Sequence, residues 1–256
     1  MKVFLINSKK LILLSAIIIS AVLFAGINTI ISVSKDNSKD IPIYSVERAD
    51  SKIALTFNCA WGDEDMDEIL EILKKHNVKS TFFIVGEWAE KYPEALKKIH
   101  ENGHEIGAHS YSHGHYKDMT YGEILSDMDK CDRVIEDIIK SDIYLVRGGY
   151  GEYSTDVLKA CRDSERTYIQ WSLDSIDYKA KSTDDILNRI TPKVNAGDII
   201  LMHTGTDYTA KALDVLLQEL LKSHTPVTVS ELIYKENFTI DHSGRQISNE
   251  SENKSK

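Results

Sequence analysis

The chain has 256 residues, of which 42% are hydrophobic, 28% are charged and only four are proline. This composition is typical of a folded protein, and the length predicts one domain with terminal appendages or at most two small domains. The net charge of −9 and the lack of a basic stripe argue against nucleic acid as a partner.

The first 34 residues differ from the rest of the chain. Lys9 and Lys10 precede an apolar run over 11–33 that contains no charged residue and is long enough to cross a bilayer core. Lysines on that side predict a cytoplasmic N-terminus and an exported domain. Residues 1–34 are therefore predicted to be a membrane anchor, or alternatively a signal peptide whose cleavage would secrete the domain.

Polar segments flank the folded region. Residues 35–50 are predicted to be a linker between the apolar run and the domain. Residues 237–256 are rich in Ser, Asn, Glu and Lys and are predicted to be a disordered tail. The domain itself is assigned to residues 51–236.

Within the domain, short apolar runs alternate with amphipathic segments. Strands are predicted over 52–57, 80–85, 105–109, 144–147, 166–171, 198–203 and 226–229. Helices are predicted over 64–76, 93–101, 155–163, 183–194 and 206–223, and a capping box at Thr120 and Glu123 opens another with an apolar stripe. About seven successive units predict an α/β fold, a distorted (β/α) barrel with a parallel sheet.

Polar residues recur where these strands end. They are Asn58, His109, Arg147, Asp174 with Asp177, and His203. In barrels of this class the functional residues cluster at the C-terminal ends of the strands, although ordinary loop polarity is the alternative explanation.

His109 and His113 are four residues apart. Two imidazoles at this spacing can face one divalent cation from a single turn or loop, because neutral imidazole is a common metal ligand. A chance pair is the alternative in a chain with nine histidines.

Several stretches, in this order, resemble the polysaccharide deacetylases of the NodB-homology family, carbohydrate esterase family 4. They are residues 53–58, 80–86, 103–113, 146–150, 174–178 and 200–203. No single stretch would suffice, but their order makes the resemblance specific over about residues 50 to 235. Residues 61–65 and 151–153 are similar to the sporulation-associated branch of that family.

The resemblance implies metal-dependent removal of an acetyl group from an amino-sugar polymer such as peptidoglycan. His109 and His113 match the histidines that hold the metal, which would be Zn²⁺ or alternatively Co²⁺. His203 matches the general acid, and Asp177 matches the carboxylate that tunes it. Arg147 matches the residue that orients the general base.

The resemblance also implies a substrate groove. Tyr150 matches the residue whose backbone N–H faces the oxyanion, and Tyr178 replaces a tryptophan of the groove. Trp61 is assigned to the same substrate-binding set. The implied partners are a cell-wall glycan and, through the N-terminal helix, a membrane, with the protein acting as a monomer.

The chain departs from the family pattern at the positions of the general base and of the metal-binding carboxylate. Asn58 stands where the general base is expected, and an amide does not accept a proton near neutral pH. Cys59 stands where the metal-binding carboxylate is expected; it could bind zinc as a thiolate or be a buried apolar residue. Asp63 or Asp65 could instead supply that carboxylate. Glycines replace two prolines at 148–149, which predicts a looser loop.

These departures leave two functions open. One is a deacetylase, impaired because loss of a general base commonly lowers the rate by about 10²–10⁴. The other is an inactive relative that binds cell-wall glycan or a wall-assembly partner. A zinc peptidase is disfavoured, because residues 109–113 lack the glutamate that acts as base in a His-Glu-x-x-His site.

Overall fold

Residues 41–249 are described by the structure, which is a computed structural model. The anchor or signal peptide predicted for residues 1–34 lies outside the described residues. Across residues 41–249 no helix has the length and apolar character needed to cross a membrane.

The strands form one large parallel sheet and one small sheet. In chain order they are β1 (Ser45–Val46), β2 (Lys52–Cys59), β3 (Thr81–Ile84), β4 (Glu105–Ala108), β5 (Leu145–Val146), β6 (Thr167–Tyr168), β7 (Leu173–Asp174), β8 (Ile199–His203), β9 (Thr225–Val227), β10 (Phe238–Ile240) and β11 (Arg245–Ser248). The large sheet has eight strands in the order β6-β5-β4-β3-β2-β8-β7, and β9 also pairs with β2.

This sheet confirms the predicted α/β barrel-type fold as a half-barrel. Every pairing in it is parallel. The terminal strands β6 and β7 do not pair with each other in the part of the chain that the structure describes, so the wall is open between them. The register aligns Asn58 of β2 with His203 of β8 and with Phe83 of β3, so polar strand ends meet at one edge.

Helices cover the sheet and supply most of the core. They are α1 (Met66–Lys75), α2 (Gly86–Lys91), α3 (Pro93–Glu101), α4 (Tyr121–Ile139), α5 (Thr155–Asp163), α6 (Thr183–Ile190), α7 (Thr209–Leu220) and α8 (Val229–Leu232). The predicted capping box is present: Glu123 N donates to Thr120 Oγ1, and Thr120 N donates to Glu123 Oε2 at 2.8 Å. The buried stripe of α4, from Ile124 to Ile139, packs in the main hydrophobic cluster.

The terminal segments correct two predictions. Residues 45–46 of the predicted linker and residues 238–248 of the predicted disordered tail form a three-stranded sheet, in which β11 pairs with both β1 and β10. Gln246 is fully buried, and its side chain accepts from Tyr234 N and donates to Tyr234 O, both at 2.7 Å. Their polar composition gives no apolar strand pattern, and β11 pairs with β1 at a separation of 200 residues, as in Ser45 with Arg245.

Candidate functional site

A cavity of about 260 Å³ opens at the C-terminal edge of the sheet, between the ends of β2, β4, β7 and β8. We call it the mouth cavity. Eight of the residues singled out from the sequence line it: Asn58, Trp61, His109, His113, Tyr150, Asp174, Tyr178 and His203. Strands that run parallel bring their carboxyl ends to one edge, which explains why residues so far apart in sequence meet there.

Asn58 forms the floor of this cavity, and Arg147 lies behind it without lining the cavity itself. Arg147 is completely buried, and its Nη1 donates to Asn58 Oδ1 at 2.9 Å and to Thr56 Oγ1 at 3.0 Å. Its other N–H groups donate to the carbonyl oxygens of Ile169 and Gln170. All these acceptors are neutral, and burial lowers the pKa of Arg147 to about 9. Behind Asn58 there is thus a buried cation whose hydrogen-bond acceptors within residues 41–249 include no carboxylate.

His109 and His113 face each other with ring centroids 4.9 Å apart. His109 Nδ1 donates to Arg147 O at 2.8 Å, which leaves Nε2 with its lone pair available. Burial, and then the neighbouring His113, lowers the pKa of His109 well below its usual value. Burial and the nearby His203 also lower the pKa of His113. Both rings are thus neutral near pH 7, as metal-binding imidazoles must be.

His203 is fixed by a buried carboxylate. Asp177 Oδ1 accepts from His203 Nδ1 at 2.7 Å, and Oδ2 accepts from His203 N at 2.7 Å and Thr209 Oγ1 at 2.6 Å. Because Nδ1 is committed to Asp177, only Nε2 remains for a ligand. This arrangement matches a general acid whose tautomer and orientation are set by its partner.

Three exposed aromatic side chains form the rim. Trp61 stacks on His203 with centroids 5.3 Å apart, and Tyr178 meets the same imidazole edge-on at 5.3 Å. Tyr150 contacts His113 at 4.5 Å and stacks on His115 at 4.1 Å. Each of the three exposes 45–59% of its surface, so their faces are available to a ligand.

Asp65 and Asp63 do not reach the mouth cavity. Asp65 Oδ1 accepts from Gly205 N at 2.8 Å, which ties the loop after β2 to the loop after β8. Gly205 approaches so closely that a β-carbon there would lie 2.7 Å from Gly62 N. Asp63 precedes the turn that leads into α1, and its carbonyl oxygen accepts from Met66 N. Neither carboxylate lines the cavity with the histidine pair.

Cys59 faces away from the mouth cavity. It is fully buried in the main hydrophobic cluster, because neighbouring residues on a strand point to opposite faces and Asn58 takes the cavity side. Burial raises the pKa of Cys59 to about 12, and its side chain does not line the cavity with the histidine pair. Of the two explanations for this residue, the buried apolar one fits.

The donor set for a divalent metal is therefore incomplete. Across residues 41–249 no group of three His, Cys, Asp or Glu side chains is placed to hold a metal ion. His109 and His113 supply two imidazoles, but structural and catalytic zinc sites use at least three protein ligands. The residues present do not fit the metal centre that the family resemblance implies.

The glycine pair at 148–149 tightens its loop rather than loosening it. A β-carbon on Gly149 would lie 2.8 Å from Gly114 O, next to the His113 segment. Gly148 N donates to Tyr168 Oη at 2.8 Å, and that hydroxyl donates to Glu152 O at 2.7 Å. The expectation of a looser loop was wrong, because close packing against this segment requires residues without side chains.

Among the lining residues, Trp171 was not singled out from the sequence, and Asp174 was noted only as a polar residue at a strand end. Trp171 forms part of the wall, and Asp174 at the end of β7 brings a carboxylate to the mouth cavity. Asp174 Oδ1 accepts from Ile176 N at 2.8 Å. Asp174 lies at the end of its strand, as Asn58 and His203 do, and this position is the sequence signal that connects it to the cavity.

Comparisons with known proteins identify relatives of this chain in sequence and in fold. The sequence model of one family, described as polysaccharide deacetylase, matches residues 45–169. The uncharacterized protein YlxY of Bacillus subtilis is 33% identical over 79% of this chain. A peptidoglycan-N-acetylglucosamine deacetylase of Bacillus cereus is 35% identical over 66% of this chain. The chain spans 63% of the length of each of these two relatives.

Solved structures agree with the sequence comparison. The wild-type protein BA3943 of Bacillus anthracis, described as a CE4 family pseudoenzyme, superposes with a TM-score of 0.73 at 34% identity. The match covers 77% of this chain and 70% of that protein.

Proposed function

Because the chain belongs to the polysaccharide deacetylase family, carbohydrate esterase family 4, we propose that its mouth cavity binds an N-acetylated glycan of the peptidoglycan type without efficient turnover. The observation that carries this proposal is the floor of the cavity. There Arg147 donates to the amide oxygen of Asn58 at 2.9 Å. A general base at this position would have to be a carboxylate, and Asn58 has only an amide.

The rim supports glycan binding. Trp61, Tyr150 and Tyr178 expose flat apolar faces around a cavity of about 260 Å³. Such faces can bury the C–H surface of a sugar ring while their polar edges stay hydrated. His203 Nε2 and the Asp174 carboxylate add hydrogen-bonding groups suited to hydroxyl and amide groups of a sugar.

Of the groups that an amide hydrolysis requires, the cavity keeps the residues assigned to the general acid. The His203–Asp177 pair could donate a proton to a leaving nitrogen, because Asp177 fixes the orientation of the imidazole through Nδ1 and leaves Nε2 facing the ligand side. The amide of Asn58 cannot take a proton from water. Among the described residues, His109 and His113 also lack a third side chain to complete a metal site. Binding without efficient turnover follows from this combination.

Slow deacetylation is the second candidate function. The observation that favours it is the intact His203–Asp177 pair, held at 2.7 Å as a working acid would be. With the general base absent, the rate would be about 10²–10⁴ lower than in a complete enzyme.

We also propose that the domain acts outside the cytoplasm, where glycans of this class occur. This part rests on the sequence alone. The lysine pair at 9–10 precedes the uncharged apolar run over 11–33, which suits a membrane anchor or an export signal.

The test is glycan titration of the purified protein. N-acetylchitotetraose should quench tryptophan fluorescence, and Trp61→Ala should weaken binding about two- to tenfold because an aromatic contact contributes about 0.5–1.5 kcal/mol. Tyr144→Ala, an exposed aromatic away from the mouth cavity, should bind as the parent does. Absence of binding at millimolar glycan, or an equal effect of both substitutions, would remove the glycan-binding function.

A further inference from the structure

Tyr150 has an unfavourable backbone conformation at the rim of the mouth cavity. Its φ angle is +59°, in the left-handed region that residues other than glycine rarely adopt. Such a conformation costs free energy and persists only where the surrounding structure holds it. The residue is also 59% exposed, so burial alone does not fix its ring. Contacts with neighbouring residues must therefore hold Tyr150 in place.

A buried hydroxyl group fixes the loop that carries this residue. Tyr168 is 4% exposed, and its Oη accepts from Gly148 N at 2.8 Å and donates to Glu152 O at 2.7 Å. One hydroxyl thus ties together both ends of the loop formed by residues 148–152. The backbone on either side of Tyr150 is set in this way, and the direction of its ring remains to be explained.

The imidazole of His115 accounts for the direction of the ring. It stacks on Tyr150 with ring centroids 4.1 Å apart and planes 6° apart. His113 contacts the same phenol ring at 4.5 Å, with the two planes inclined at 64°. Rotation of the Tyr150 side chain would therefore break contacts with two imidazoles at once.

His115 is itself oriented by a charged group of the same loop. Its Nδ1 donates to the carboxylate of Glu152, whose two oxygens both lie 3.1 Å away. Lys117 Nζ donates to Glu152 Oε1 at 2.6 Å and so holds the carboxylate from the other side. The side chain of Glu152 is only 18% exposed, against 47% for that of His115. The loop that carries Tyr150 thus also supplies the group that orients the imidazole stacked on it.

The division between these residues indicates what His115 does. Tyr150 lines the mouth cavity, and His115 is not among the lining residues. Ordering a mobile side chain on binding costs free energy, which a ring fixed beforehand avoids. We propose that His115 is a positioning residue, which holds the ring of Tyr150 at the rim of the free protein so that a glycan meets a fixed aromatic wall. This role rests on the glycan binding proposed above.

A double-mutant cycle with N-acetylchitotetraose separates positioning from direct contact. His115→Ala should weaken binding about two- to tenfold, because the glycan must then order the ring of Tyr150 itself. In the Tyr150→Ala background the same substitution should have no further effect. His115→Phe keeps a flat ring for the stack and should bind within about twofold of the parent. His242→Ala, at an exposed position that does not line the cavity, is the control and should bind as the parent does.

NMR of the free protein supplies a readout that needs no glycan. The ring protons of His115 should be shifted upfield by the stacked phenol ring, and Tyr150→Ala should abolish the shift. Unshifted protons, full affinity in His115→Ala, or an equal loss of affinity with and without Tyr150 would overturn the proposal while glycan binding stands. A parent protein that binds no N-acetylchitotetraose would instead remove the proposed function, and with it this role of His115.

Discussion

The substitution Asn58→Asp tests the floor of the mouth cavity. It places a carboxylate oxygen against Arg147 Nη1, which now donates to Asn58 Oδ1 at 2.9 Å. Arg147 is wholly buried with neutral acceptors only, and burial lowers its pKa to about 9. We therefore expect the new carboxylate to stabilise a cation that makes no direct hydrogen bond to a carboxylate in the parent protein.

The magnitude follows from two opposing terms. Arg147 already donates to Asn58 as a cation, so the gain comes from the attraction of a new buried ion pair, and breaking such a pair costs about 3–5 kcal/mol. Desolvation of the carboxylate offsets part of the gain, although one side of the residue faces the cavity. We expect a net gain of about 1–2 kcal/mol, or about 2–8 °C in Tm for a domain of this size.

The gain should depend on pH in one direction. Arg147 lowers the pKa of the new carboxylate below its unfolded value of about 3.9. The extra stability is then fully present above the unfolded pKa and is lost as the pH falls through the lower folded pKa.

Urea unfolding at pH 7 and pH 3 measures both effects. Asn188→Asp is the matched control, because it makes the same chemical change at an exposed position of α6 and should change stability by no more than about 0.5 kcal/mol. A loss of stability at pH 7, or a gain equal to that of Asn188→Asp, would refute the reasoning that Arg147 lacks a hydrogen-bonded counter-charge.

Three further outcomes follow from the site. Asp177→Asn should lower the free energy of unfolding by about 2–4 kcal/mol, because one amide oxygen cannot accept all the bonds that the carboxylate takes from His203 and its neighbours; an unchanged urea midpoint would contradict this. Iodoacetamide at pH 8 should not modify the native protein, because all three cysteines are buried and burial raises the pKa of Cys59 to about 12; rapid labelling seen by mass spectrometry would show otherwise. Zinc chloride at 0.1 mM should raise Tm by less than about 2 °C, because His109 and His113 lack a third ligand; a larger rise that His109→Ala abolishes would mean the donor set is complete.

Much of the fold could be predicted because its signals are local. The predicted strand at 52–57 and the capping box at Thr120 correspond to β2 and α4, where apolar periodicity and end signals agree. Three features escaped this reasoning. The helix α2 has only six residues, β7 has two, and the strands at the C-terminus need a partner near residue 45. Pairing over such sequence distances has no local signature.

The candidate site could likewise be predicted only where its residues have a local sequence signal. Strand-end position pointed to Asn58, His109 and His203, which the sheet brings to one cavity. Asp65 could not be assigned from sequence, because its role depends on Gly205, 140 residues away. The orientation of Cys59 was open to inference, since adjacent residues of a strand face opposite sides and Asn58 was already assigned to the site.

Acetate release from N-acetylchitotetraose tests the central claim most directly. The purified protein, supplied with Zn²⁺ or Co²⁺, should bind the glycan and release no more acetate than its His203→Ala variant does. Multiple turnovers by the parent protein that disappear in His203→Ala would contradict the account, because a cavity with Asn58 at its floor would then be a working deacetylase.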